Sequence, residues 1–138
     1  MSLIASLVSP QGLRRVLWLD AASGAGMGLA HLGLSGWLAT WLGYPPSWLL
    51  ATGLAVLPFA LVAASLARRT RTPTTGVRLL ALVNFAWVAA SVALLLSGAG
   101  QPTVLGQIYV AAQAVFVLVM AELQWMATRR TPQLQAAH

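Results

Sequence analysis

The class of fold is indicated by one stretch of the sequence, Leu49-Leu-Ala-Thr-Gly-Leu-Ala-Val-Leu-Pro-Phe-Ala-Leu-Val-Ala-Ala-Ser-Leu-Ala-Arg-Arg-Thr-Arg71. Residues 49–67 carry no charge and are mostly apolar, and arginines follow at once. A helix needs about 20 predominantly apolar residues to cross the hydrocarbon core of a bilayer. The stretch therefore predicts a membrane-spanning helix that ends at a basic surface.

Three other runs have the same character, and they cover about residues 16–34, 79–96 and 104–126. Hydrophobic residues make up 59% of the 138-residue chain and charged residues only 7%. A soluble domain normally has roughly 25% charged residues, so lipid is the expected solvent. The sequence predicts an all-α, polytopic integral membrane protein, folded as a single four-helix bundle domain over residues 1–138.

All eight arginines belong to one end of this predicted bundle, and none belongs to the other. They precede the first run, fill the second connection and follow the last run: Arg14, Arg15, Arg68, Arg69, Arg71, Arg78, Arg129 and Arg130. The first and third connections contain no Arg, Lys, Asp or Glu. Because positive loops stay in the cytoplasm, we expect both termini and residues 68–78 to be cytoplasmic, in a bacterial inner membrane.

The ends of the first run carry two local signals. Ser9 and Pro10 are typical of a helix start, with serine as the cap and proline in the first turn. Tryptophans 37, 41 and 48 surround residues 43–47 and match the aromatic belt of a membrane interface. A first helix extended to Gly43 would exceed the bilayer core, so residues 36–42 are interpreted as a short interfacial helix between spans 1 and 2.

Three polar side chains lie at nearly the same depth. At 1.5 Å per residue, Asp20 lies about 7.5 Å beyond Arg15, Asn84 about 9 Å beyond Arg78, and Glu122 about 10.5 Å before Arg129. A carboxylate inside a membrane helix must be paired, protonated or turned to the bundle interior. Asp20, Asn84 and Glu122 are therefore candidates for a ligand-binding or proton-responsive site. The alternative is that arginines at the rim pair with both acids and fix the helix register.

A second polar layer is predicted near the opposite face. His31, Thr52 and Gln113 each lie about 24 Å from the arginine of their own helix end. One hypothesis is that His31 binds a haem iron or a metal, but this level offers too few ligands. The alternative is a histidine hydrogen-bonded across helices to Thr52 or Gln113. We expect no metal site and no cofactor.

Glycines give the first predicted helix a face without large side chains. Gly24 and Gly28 form a small-xxx-small pair, which lets two helix backbones approach closely in a membrane. The pair predicts either packing within the bundle or a surface for a homodimer or a partner membrane protein. It does not form a phosphate-binding loop, because no strand precedes it and no Lys-Ser/Thr follows it.

The net charge of +6 fits anionic lipid headgroups better than nucleic acid, since no separate basic domain is present. The expected headgroup contacts are the arginines of the second connection, Arg68, Arg69, Arg71 and Arg78. The chain has no cysteine, which excludes disulfides and thiol nucleophiles. Two acids without a nucleophile or a metal set are not a hydrolase pattern, so we expect no catalytic residues and no enzyme.

Four segments carry a resemblance: Leu17-Trp-Leu-Asp-Ala-Ala-Ser-Gly24, Leu54-Ala-Val-Leu-Pro-Phe-Ala60, Val83-Asn-Phe-Ala-Trp-Val88 and Ala121-Glu-Leu-Gln-Trp125. Together they look similar to uncharacterised small four-span proteins of bacterial inner membranes. That resemblance implies location and architecture but no activity. Exporters of the small multidrug-resistance type are similar in size and use a glutamate in the first helix. The rest of their pattern is missing here.

These features favour a small bundle that binds or passes a small or lipophilic molecule. A second hypothesis is an accessory or assembly subunit without chemistry, held by the glycine face of the first helix. A third is an enzyme acting on lipid, with the arginines holding the headgroup.

Overall fold

The computed structural model describes residues 2–136, with side chains as far as Arg130, and in this part all regular structure is helical. The helices are α1 (Leu3–Leu7), α2 (Pro10–Leu42), α3 (Pro46–Ala67), α4 (Thr74–Ser97) and α5 (Val104–Ala136). The all-α prediction is confirmed. The prediction that the termini are cytoplasmic extends to Met1, Ala137 and His138, which lie outside the described residues.

Three helices are long and apolar enough to cross a membrane: Pro46–Ala67, Thr74–Ser97 and Val104–Arg130. Helix α2 has the length, but Asp20, His31 and several glycines reduce its apolar content. Large apolar side chains cover the outside of the molecule, and Leu61 (70% exposed) and Leu96 (83%) are examples. Such a surface suits lipid and is unsuited to water. The chain is therefore a helical integral membrane protein.

Helix α2 starts where the sequence predicts. The Ser9 hydroxyl accepts a hydrogen bond from the Gly12 amide at 3.1 Å, with Pro10 in the first turn. The helix is interrupted at Leu34, whose backbone angles (φ −125°, ψ 20°) are not helical, so residues 35–42 form a distinct helical segment that agrees with the short helix predicted for residues 36–42. The helix ends at Gly43, whose φ of 79° favours glycine.

The four long helices pack as two antiparallel hairpins, α2 with α3 and α4 with α5. Helices α2 and α5 join the hairpins along one side, whereas on the other side α3 and α4 contact each other less, with Leu66 of α3 packed near Gly76 of α4 at the arginine end. At the arginine end, Arg14 Nη2 donates to the Arg69 carbonyl oxygen (3.0 Å) and Arg78 Nε donates to Thr128 Oγ1 (3.2 Å). At the other end, the Thr103 amide donates to the Leu42 carbonyl oxygen at 3.0 Å. The α3–α4 seam is therefore the open side of the bundle.

The predicted glycine face lies inside the bundle. A Cβ atom built on Gly24 would lie 3.3 Å from Ala60 Cβ, and one on Gly28 would lie 2.7 Å from Leu57 Cδ2. A Cβ on Gly53 of α3 would lie 3.0 Å from the Gly28 carbonyl oxygen. Glycines on both helices thus allow α2 and α3 to approach closely. Gly24 and Gly28 therefore pack against α3, which is the first of the two predicted alternatives.

We expect Gly53→Ala to reduce the free energy of unfolding by about 1–3 kcal/mol, because the added methyl meets backbone that cannot move aside easily. The matched control is Gly26→Ala, whose Cβ meets no atom within 4 Å. The control should leave stability unchanged or raise it by up to about 1 kcal/mol through helix propensity. Thermal unfolding of both variants in one detergent measures the difference, and equal midpoints would contradict the close crossing.

Candidate ligand-binding site

A carboxylate and two carboxamides form a closed ring of hydrogen bonds between three helices. Asn84 Nδ2 of α4 donates to Asp20 Oδ2 of α2 at 2.9 Å, and Gln124 Nε2 of α5 donates to the same oxygen at 2.6 Å. Asn84 Nδ2 also donates to Gln124 Oε1 at 3.1 Å. Gln124 is completely buried and Asn84 is 8% exposed. The structure therefore brings together two of the three residues predicted for this layer.

Glu122, the third residue of that predicted layer, lies outside the ring. Its side chain is exposed, whereas Ala121, Gln124 and Thr128 on the same helix are buried. Residues three and four apart share a helix face, so these three form the inner face and Glu122 points away from it. Spacing along the chain predicted that Asp20 and Asn84 lie at one level, whereas the inward orientation of Gln124 depends on the rotation of α5 about its axis. The pattern of Ala121, Gln124 and Thr128 could have indicated it.

No arginine pairs with Asp20 among the described residues. For Asp20, the alternative of an arginine pair at the rim is therefore not found in the described part of the chain. Both amide donors contact Oδ2, and Oδ1 accepts no hydrogen bond in the described part of the chain. A hydrogen bond to a charged group contributes about 1.5–3 kcal/mol. The ring thus holds the carboxylate in place and leaves one of its oxygens for another donor.

Asp20 lines a cavity of about 260 Å³ that we call the Asp20 chamber. Its other polar residues are Ser23, Asn84 and Gln113, and its aromatic walls come from Phe59, Trp87, Tyr109 and Phe116. The chamber is larger than the roughly 150 Å³ apolar cavity that accommodates benzene. Apolar walls with a few convergent polar groups are typical of sites for small lipophilic molecules.

The second predicted layer is only partly assembled as expected. His31 Nδ1 lies 2.9 Å from Thr52 Oγ1, and His31 Nε2 lies 2.7 Å from the Tyr109 hydroxyl oxygen. Gln113 makes no hydrogen bond to His31: its Oε1 accepts from Trp87 Nε1 and its Nε2 donates to Ser91 Oγ, both at 2.9 Å. Tyr109 was thus missed as the histidine partner. With both ring nitrogens occupied, His31 is held as a bridge between α2, α3 and α5.

These residues line a second cavity, of about 190 Å³, that we call the His31 chamber. It shares part of its wall with the Asp20 chamber, namely Met27, Trp87, Tyr109 and Gln113. The Tyr44 hydroxyl, at its far side, is buried and has no hydrogen-bond partner among the described residues. Two adjoining chambers therefore lie along the interior of the bundle, each with its own polar group.

The predicted headgroup arginines separate into different environments. Arg78 is engaged within the bundle, since it donates to Thr128 and its Cζ lies 5.8 Å from the Trp125 ring centroid. Arg71 lines an open cleft at the arginine end, and neither Arg68 nor Arg69 does. Among the described residues, no group of three or more His, Cys, Asp or Glu side chains could hold a metal ion.

Comparison with protein-family models, with curated proteins and with solved structures gave no match. The Asp20 ring and the His31 bridge can both be tested by removing single hydrogen bonds.

We expect Gln124→Leu to reduce the free energy of unfolding by about 1.5–3 kcal/mol, because it removes a donor from a buried carboxylate. Gln107→Leu is the matched control, since Gln107 lies on the same helix with an exposed side chain. Thermal unfolding in detergent compares the two. A loss in the control as large as in Gln124→Leu would contradict the role of the ring.

The two interior tyrosines give a second contrast. Tyr109→Phe should lower stability by about 1 kcal/mol, because it breaks the hydrogen bond to His31. Tyr44→Phe should be neutral or stabilising, since it removes a buried hydroxyl that has no partner. Chemical denaturation in one detergent ranks the two variants, and the reverse order would refute the assigned hydrogen bonds.

Proposed function

We propose that this protein binds a small lipophilic molecule in the Asp20 chamber, with Asp20 holding the polar group of the ligand. We place it in a bacterial inner membrane with four spans, α2 included, and both termini in the cytoplasm. The orientation follows from the arginines, which all belong to the end where the chain starts α2 and finishes α5.

One observation carries the proposal. A carboxylate lies inside an apolar, aromatic cavity, and hydrogen bonds from Asn84 and Gln124 occupy only one of its oxygens. If the role of Asp20 were only to join the helices, no adjoining cavity would be needed. Oδ1 is the atom that a ligand would contact.

The chemistry of the chamber favours a lipophilic amine. A protonated amine can donate a charge-assisted hydrogen bond to Oδ1 and compensate the charge of a carboxylate that has no arginine partner. The Trp87 ring, also in the wall, can attract a cation through its face. An apolar body of modest size would fill the remaining volume.

The open seam between α3 and α4 gives the ligand a route from the bilayer. Residues of both helices line the chamber, including Val56 and Phe59 of α3 and Val83 of α4, and the two helices contact each other much less than the helices within each hairpin do. We propose binding without bond-making. The serine of the chamber, Ser23, already donates its hydroxyl to the Asp20 carbonyl oxygen at 3.0 Å and is not poised as a nucleophile.

The test uses 1-naphthylmethylamine as a fluorescent probe and 1-methylnaphthalene as its uncharged counterpart. Purified protein in mild detergent should bind the amine more tightly, by about tenfold or more, which is the worth of a hydrogen bond to a charged group. Asp20→Asn should remove this preference. Glu122→Gln is the matched control, because it removes the only other acid of the chain at an exposed position.

Retention of the amine preference by Asp20→Asn would refute the role of Asp20. Equal loss in Asp20→Asn and Glu122→Gln would show that binding follows overall charge and not the chamber. Thermal unfolding of both variants in the same detergent establishes that each is folded before binding is compared.

A further inference from the structure

The arginine end contains a basic cleft that the Asp20 chamber does not involve. The cleft has a volume of about 900 Å³ and is lined by four arginines from three parts of the chain. Arg14 and Arg15 come from α2, Arg71 from the α3–α4 connection and Arg130 from the end of α5. Among the residues whose side chains the structure describes, no aspartate or glutamate lines it. Four positive charges therefore face one space, and no described acid compensates them.

The cleft is held together by the fold. Arg14 Nη2 donates to the Arg69 carbonyl oxygen at 3.0 Å, which ties the connection carrying Arg71 to α2. Guanidinium groups provide planar pairs of donors that suit phosphate oxygens. Gln11, Thr70 and Thr72, also in the lining, add further polar groups. The cleft thus has the chemistry of a phosphate site.

An apolar groove begins where the cleft ends. The groove, of about 380 Å³, lies between α2 and α3 and is lined only by Trp18, Leu57, Leu61 and alanines of the two helices. Trp18 belongs to both the cleft and the groove and is 45% exposed. Tryptophan is favoured at the level of lipid headgroups. Trp18 therefore connects the basic cleft, which suits a lipid headgroup, with the apolar groove, which suits an acyl chain.

We propose that the cleft and groove together form a site for an anionic phospholipid. The phosphate would lie among the arginines of the cleft, and an acyl chain would follow the alanine-lined groove past Trp18. A free phosphate ion shares the headgroup chemistry but would make no use of the groove. The site is separate from the Asp20 chamber and does not depend on the ligand proposed for it.

The test counts bound lipid by native mass spectrometry of the protein in mild detergent. Phosphatidylglycerol and phosphatidylcholine with identical acyl chains are titrated in parallel at about 0.15 M ionic strength, where the Debye length is about 8 Å. We expect the wild-type protein to bind phosphatidylglycerol more tightly. Arg15→Gln/Arg71→Gln should weaken this binding by about tenfold or more, since an arginine near an anionic lipid contributes about 1 kcal/mol.

The matched control is Arg68→Gln/Arg129→Gln, which removes the same charge from arginines that do not line the cleft. It should weaken binding by less than about threefold, because screening reduces distant charges. An equal loss in both double variants would show only general attraction to anionic lipid and would overturn the proposal.

Trp18→Ala distinguishes the two sources of phosphate. It should reduce phosphatidylglycerol binding by about threefold to tenfold through the lost apolar contact. A parallel experiment measures whether inorganic phosphate, which has no acyl chain, protects the wild-type protein against thermal unfolding. If inorganic phosphate protects as well as the lipid, and Trp18→Ala leaves lipid binding unchanged, the site is one for a free anion and the lipid assignment is wrong.

Discussion

A carboxylate among apolar helices must have hydrogen-bond donors, and Asp20 obtains them from two other helices. Asn84 and Gln124 are brought to the same oxygen, and each also contacts the other. The need to satisfy one charge thus connects α2 with α4 and α5, which belong to the opposite hairpin. In the described part of the chain Oδ1 has no donor, and Asp20 lines a cavity. Asp20 therefore both connects the helices and forms part of the proposed binding site.

Close packing on one side of the bundle is matched by loose packing on the other. Glycines 24, 28 and 53 let α2 and α3 cross with almost no space between their backbones. In lipid such packing, more than hydrophobic burial, holds helices together. Helices α3 and α4 lack a comparable contact, and residues of both border the two chambers. The seam that is weakest in packing is thus where a ligand from the bilayer would enter.

Three polar sites with different chemistry lie one after another along the bundle. The arginine cleft lies at one end, the Asp20 ring next to it, and the His31 bridge towards the other end. Positive charge at the headgroup level suits an anionic lipid, whereas the isolated carboxylate suits a cationic or donor group. The two proposed ligands have opposite charge, so neither should compete for the site of the other.

The helical class, the cap of α2 at Ser9 and the approximate positions of the turns could be predicted from the sequence. All of these depend on composition and on local signals along the chain. The packing of the helices, in contrast, brings Gln124 and not Glu122 to Asp20, makes Tyr109 and not Gln113 the second partner of His31, and turns Gly24 and Gly28 towards α3. These outcomes depend on how each helix is rotated about its axis. Rotation is set by packing against neighbouring helices. A helix that is apolar nearly all round has no clear amphipathic pattern, so its sequence does not indicate which side faces inward.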